Sequence, residues 1–246
     1  MQWNMRTLTA SQVLDVWESA IHFAAPRRAV ALLAAACPER AVDELLALPL
    51  GQRNQMLLRL REYLFGPTLT MTASCPACGV RLESSLQLAN LQTPIVPGEC
   101  RHTLSLGDRE IAFHAPRAGD LIDLPADAVQ ARDALLSRCL VDVDSRAGVG
   151  ISADALSSSD IAAVVDAMAV ADPQANVDIG LICEACAHRW DCAFDIVTFL
   201  WHEIDAWAQR TLREVHLLAH AYCWSEHDIL AMSPTRRQVY LEWSRA

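Results

Sequence analysis

Two short cysteine steps, set 108 residues apart, constrain this chain more than any other feature. Cys75 and Cys78 form one Cys-x-x-Cys pair; Cys183 and Cys186 form the second. Their surroundings align without a gap: Arg81 falls on Arg189, Leu82 on Trp190, Glu83 on Asp191, Leu86 on Phe194 and Leu88 on Ile196. Apolar residues alternate on both sides of each pair. Leu69, Met71 and Ala73 lead into the first, and Val80, Leu82, Leu86 and Leu88 lead out. Val177, Ile179 and Leu181 lead into the second, and Trp190, Cys192, Phe194 and Ile196 lead out. Alternation with period two is the mark of a half-buried strand. Each segment therefore predicts a β-hairpin with two thiols at its tip. Together the tips supply four thiolates, the ligand set of a structural zinc ion.

The long separation is no obstacle to a shared site. Closing about a hundred residues instead of ~15 adds only roughly 1.5–2 kcal/mol of loop entropy. Structural zinc contributes on the order of 10 kcal/mol to small modules. Cys75, Cys78, Cys183 and Cys186 are thus the predicted metal ligands. Two independent knuckles, metal-free thiols and an iron ion of the same geometry remain the competing readings. A thioredoxin-like redox pair fits poorly, because that motif opens a helix after a strand. Four protein thiolates leave no position for water or substrate, so the site reads as structural, not catalytic. Gly79 eases the tight turn of the first knuckle, whereas Ala187 stands at the same place in the second. Cys192 falls on the apolar face of its strand and reads as a buried, inert thiol. Cys37, Cys100, Cys139 and Cys223 show no metal spacing.

The remainder reads as mostly helical. Ser11 caps a helix to about His22; Pro26 and Pro38 start short helices near 26–36 and 39–47. A stronger helix at 51–64 carries Met56, Leu57, Leu60 and Leu64 on one face, and Gly66-Pro67 stops it. A further hairpin is expected at 103–106 and 110–114, turning at Gly107-Asp108, with a helix over 126–140. Ser157 and Asp160 form a capping box for a helix to Ala171. A long amphipathic helix follows from Val197 to Tyr222, then short ones from Ser225 and from Ser233-Pro234. The fold class is accordingly α+β: mostly helical, with a zinc-ribbon-like pair of β-hairpins and an inserted lobe holding a further hairpin and helices. The expected segments are an N-terminal helical region (1–68), the first knuckle hairpin (69–91), the inserted lobe (92–176), the second knuckle hairpin (177–196) and a C-terminal helical region (197–246), folding as one cooperative unit.

Charge and motifs narrow the function. The formal net charge is -10 and all 20 basic residues are arginine. Phosphate binding needs a basic surface, which disfavours the alternative of a zinc-ribbon nucleic-acid or transcription accessory protein. The longest apolar run, Ala29 to Cys37, is too short to span a bilayer. The first residues lack a leader pattern, so the expected compartment is the cytoplasm. An odd count of nine cysteines in a chain this long argues against a disulfide framework. His202-Glu203 begins like a zinc-protease motif, but Ala206 stands where the second histidine belongs. His216 and His220 are four apart with no evident third ligand. Asp142, Asp144 and Gly148 do not keep calcium-loop spacing. No phosphate loop, nucleophile elbow or dinucleotide fingerprint is present, and no catalytic residue is predicted. The aromatics Trp190, Trp201, Trp207, Tyr222, Trp224, Tyr240 and Trp243 crowd the last quarter, either as core or as anchors for a partner.

Taken together, several stretches resemble a known family. They are Leu48-Pro-Leu-Gly-Gln-Arg-Asn-Gln-Met-Leu-Leu-Arg-Leu-Arg61, Phe65-Gly66, Cys75-Pro-Ala-Cys-Gly79 with Arg81-Leu-Glu83, and Cys183-x-x-Cys186 with Arg189-Trp190. Phe199-Leu-Trp-x-Glu203, Arg213-Glu-Val-His216 and Tyr222-Cys-Trp-Ser-Glu226 through Arg236-Arg237 complete the set. The chain resembles the T4-like bacteriophage base plate protein family, including members found with phage-tail-like contractile injection systems. The resemblance implies a non-enzymatic component that sits in a baseplate or helps assemble it. The implied partners are other baseplate or tail proteins, and the implied location is the bacterial cytoplasm or the assembled particle. The one site carried over is the cysteine quartet.

Overall fold

The computed structural model describes residues 4–93, 101–107, 109–142 and 156–244. Cys100, Asp108 of the expected turn and residues 143–150 of the calcium-like loop lie outside the described residues. The chain is α+β and mostly helical, and its β-structure consists of small antiparallel sheets. It divides into two compact units, Glu39–Ile196 and Met1–Pro38 with Val197–Ala246.

The regular elements of the second of these, among its described residues, are helices. It holds α1 (Ala10–Ala20), α2 (Ala25–Ala36), the body of α7 (Ile196–Tyr222), α8 (Glu226–Leu230) and α9 (Pro234–Trp243). Thr9, not Ser11, caps α1: its side chain accepts the Gln12 N–H, and Gln12 answers with its own amide oxygen on the Thr9 N–H. Ser11 lies inside the first turn. Leu14, Leu32, Leu33, Leu200, Trp201 and Ile204 are buried. Trp17 donates its indole N–H to Asp205 at 2.8 Å, and the Arg28 guanidinium stacks 4.3 Å over the Trp201 ring. Toward the end of α7 a second core forms from Val215, Leu218, Ile229 and Leu241, with Tyr222, Trp224 and Tyr240 packed on it. Buried Arg237 is neutralised there by Glu214 at 3.0 Å.

Among the described residues, the strands all lie in the unit Glu39–Ile196. A short α3 (Val42–Leu46) replaces the longer helix expected over 39–47; it starts only after Ala41, whose N–H is capped by Glu44. Then α4 (Leu50–Phe65) runs to Gly66, which breaks it with φ +87°. The first hairpin pairs β1 (Thr68–Ser74) with β2 (Arg81–Gln87), Leu69 facing Leu86 and Ala73 facing Leu82. The inserted lobe contains β3 (His102–Leu106), β4 (Arg109–Phe113), α5 (Ala128–Cys139) and α6 (Ser158–Ala171). Its expected hairpin is one strand larger, because β5 (Leu140–Asp142) leaves α5 directly and pairs with β4. Ile111, Phe113, Leu136, Cys139, Leu140, Val164 and Met168 make the lobe's core. The second knuckle hairpin pairs β6 (Val177–Ile182) with β7 (Arg189–Phe194), Ile179 facing Cys192 and Leu181 facing Trp190.

One helix positions both hairpins. Beyond its buried leucines, α4 carries a buried polar face of Arg53, Asn54 and Arg61. The Arg61 guanidinium donates to the carbonyls of Gly66 and Thr68, both at 2.7 Å, and so fixes the entry to β1. Asn54 donates to the carbonyls of Gln174 and Ala175, just before β6. Gln174 in turn accepts the Thr93 N–H at 2.6 Å and donates to the Leu91 carbonyl, just after β2. Buried polar groups need such partners to offset desolvation. The exit of one hairpin and the entry of the other are therefore tied to the same helix.

Candidate metal centre

At each hairpin tip the backbone makes the same turn. The Cys75 N–H donates to the Val80 carbonyl at 2.9 Å, and the Gly79 N–H to the Cys75 carbonyl at 2.9 Å. In the second knuckle Cys183 donates to His188 at 2.9 Å, and Ala187 to Cys183 at 2.8 Å. Gly79 and Ala187 both take positive φ, +73° and +56°. The residue after the second cysteine must bend into the left-handed region so that both thiols point to one side. Glycine does this freely and alanine with strain.

The two tips bring their sulfurs together. Cys75 Sγ lies 3.7 Å from Cys186 Sγ, and Cys78 Sγ lies 3.6 Å from Cys183 Sγ. All four Sγ atoms fall within 4.8 Å of one another. The first cysteine of each knuckle is buried and the second exposed, so the cluster has an inner and an outer side. A tetrahedral ion with arms of about 2.3 Å to sulfur needs edges of roughly 3.8 Å. The cross-hairpin separations match that figure, and the four thiols can hold a metal ion. Their proton affinities diverge as expected for crowded donors. Burial pushes the Cys183 thiol up, but the amides of Cys186 and Ala185 and the neighbouring thiols outweigh it and bring the group down to about 7. At Cys186 the His188 amide favours the thiolate, yet the surrounding thiols and burial win and push it up to about 12. At Cys78 the Val80 amide and the Cys186 thiol lower, but burial and the Cys183 and Cys75 thiols outweigh them, with a net upward shift. A bound divalent ion favours the thiolate form of its sulfur ligands.

Residues 25–201 match the family described as T4 bacteriophage base plate protein. The chain belongs to that family. The match spans both knuckles of this base plate family chain, α4 and the whole inserted lobe. Searches of curated proteins and of solved structures returned no match.

The other candidates of this base plate family chain do not assemble. His202, His216 and His220 are exposed along α7, and none joins a group of potential ligands among the described residues. Cys192 is half-buried opposite Ile179, off the thiol cluster. Cys37 is buried and Cys223 exposed. Of the late aromatics, Trp201 is core. Tyr222, Trp224, Tyr240 and Trp243 form a chain of ring contacts that ends on Trp243, 64% exposed. No helix among the described residues is long and apolar enough to cross a membrane. Sequence reading missed two things. The polar face of α4 answers partners 120 residues away, which no local pattern announces. A second group of potential ligands, His114, Asp120 and Cys139, has no motif spacing at all.

Proposed function

We propose that the protein is a non-enzymatic structural or assembly component of a phage-like contractile tail baseplate, with one zinc ion held by four thiolates and pinning its two hairpins. Family membership across both knuckles is the observation that carries this reading. The donor set favours zinc, which takes four thiolates in a tetrahedron without redox chemistry. Cys75, Cys78, Cys183 and Cys186 hold the ion, and a closed shell gives it a scaffolding role only. The partners are other baseplate or tail proteins, met in the bacterial cytoplasm or in the finished particle. All five sequence segments fold as one cooperative unit, which predicts a single thermal transition.

Co-expression with the baseplate and tail genes of a contractile system, followed by affinity capture of this chain, tests the role. Stoichiometric recovery of a baseplate or tail protein supports it. Capture of the chain alone, together with normal tail assembly in cells that lack it, overturns it.

A further inference from the structure

Helix α7 turns one face outward along most of its length. His202, Arg210, Arg213, His216, Leu217 and His220 are exposed. At 3.6 residues per turn they fall in one sector of about 120° and run for about 27 Å along the axis. Arg213 stands at the middle of that sector, opposite the buried Ile204, Thr211 and Val215.

The charge of this face is one-sided: arginines and imidazoles, with no carboxylate among them. The acidic residues of α7 lie to its flanks and are engaged elsewhere. Asp205 accepts from the Trp17 indole at 2.8 Å and the Gln209 amide at 2.9 Å. Glu214, one turn from Arg210, pairs with Arg237 at 3.0 Å. Glu203 is half-buried. Arg210 and Arg213 make no hydrogen bond or ion pair through their side chains among the described residues. Like charges three apart on a helix repel, and no described carboxylate relieves this pair.

A free guanidinium matches a carboxylate bidentately, and each imidazole offers a further N–H donor. Leu217, 38% exposed, sets an apolar contact among them. Arginine is enriched at protein interfaces, where lysine and glutamate are depleted. An extended polyanion fits less well, because the net charge of -10 repels it away from this face. A folded partner that presents its carboxylates only to α7 avoids that repulsion.

We propose that this face of α7 docks a carboxylate-bearing surface of another baseplate or tail protein, with Arg213 at its centre. The proposal rests on the baseplate role given above and adds the surface and the chemistry of the partner.

The chain has no lysine, which makes a direct test possible. Arg213→Lys keeps the positive charge and places the only side-chain amine of the protein at the centre of the face. The full chain carrying this substitution is co-expressed with the baseplate and tail genes of a contractile system, captured, and treated with a zero-length carbodiimide, which joins an amine only to a carboxylate in contact with it. The expected product is an amide between position 213 and an aspartate or glutamate of a tail protein, located by mass spectrometry. In parallel, the Arg210→Glu, Arg213→Glu double variant is expected to capture roughly tenfold less of that protein or lower still. Its thermal unfolding stays that of the parent, since neither side chain has a partner to lose. Undiminished capture by the double variant overturns the inference and leaves the baseplate role standing. A cross-link only to carboxylates of this same chain overturns it as well, as does capture abolished by nuclease, which assigns the face to nucleic acid. Failure of the unsubstituted chain to capture any tail protein overturns the baseplate role and this inference with it.

Discussion

Gly79 and Ala187 occupy the same place in the two knuckles, one residue past the second cysteine, and both have left-handed backbone. Only one of them is a glycine. A Cβ at Gly79 would meet nothing within 4 Å, so the difference between the two positions is one of backbone strain alone. Left-handed φ costs a residue with a Cβ roughly 1–2 kcal/mol, partly offset by the greater unfolded-state freedom of glycine. Ala187→Gly is expected to stabilise the protein by about 0.5–1 kcal/mol and Gly79→Ala to destabilise it by a similar amount. Chemical denaturation of the two variants at constant metal loading checks the pair. The same sign of change in both contradicts the account.

Gly51 marks where the chain before the first hairpin meets the chain before the second. Its N–H donates to Asp172 Oδ2 at 2.7 Å. A Cβ there would lie 1.8 Å from Asp172 Oδ1 and 2.9 Å from Gln174 Cβ. Gly51→Ala must push that segment away and break the hydrogen bond. The expected cost is about 1–3 kcal/mol, the range for overpacking a buried contact. Equilibrium denaturation measures it; a variant as stable as the parent shows that the 172–174 segment is not held against α4.

Asp172 itself gives a pH signature. Burial raises its carboxyl above the ordinary value of 3.8, and the Gly51 amide and Arg53 pull against that rise. The native state then keeps this proton to higher pH than the unfolded chain does. Its contribution to stability is full below 3.8 and declines as pH rises through the raised native value. Asp172→Asn is expected to remove that decline while costing the charge that faces Arg53. Stability of parent and variant, followed from acid upward, separates the two effects; parallel curves contradict the assignment.

How much of this was legible beforehand depends on the range of the interactions. Both knuckle hairpins were readable because alternation and Cys-x-x-Cys spacing are local, and β1, β2, β6 and β7 fall where the pattern places them. The capping box at Ser157 and Asp160 was readable for the same reason. Strand β5 was not: three residues cannot show a period, and Leu140 continues the apolar face of α5. Thr9 escaped notice because Ser11 offers the same chemistry two residues later. The spacing also suggested a common site, but only the structure brings Cys75 to Cys186 and Cys78 to Cys183. The means of doing so, the polar face of α4 reaching Gln174, is a tertiary choice. Arg53 and Asn54 lie outside the apolar face of Met56, Leu57, Leu60 and Leu64 that the periodicity marks, and they are buried.

The most direct test of the central claim is zinc-edge X-ray absorption on freshly purified, reduced protein carrying only its tightly retained ion. The account predicts zinc bound by four sulfurs at about 2.3 Å, and loss of that ion in both Cys78→Ser and Cys186→Ser. Protein without retained metal, or an ion bound mainly by nitrogen and oxygen, contradicts it.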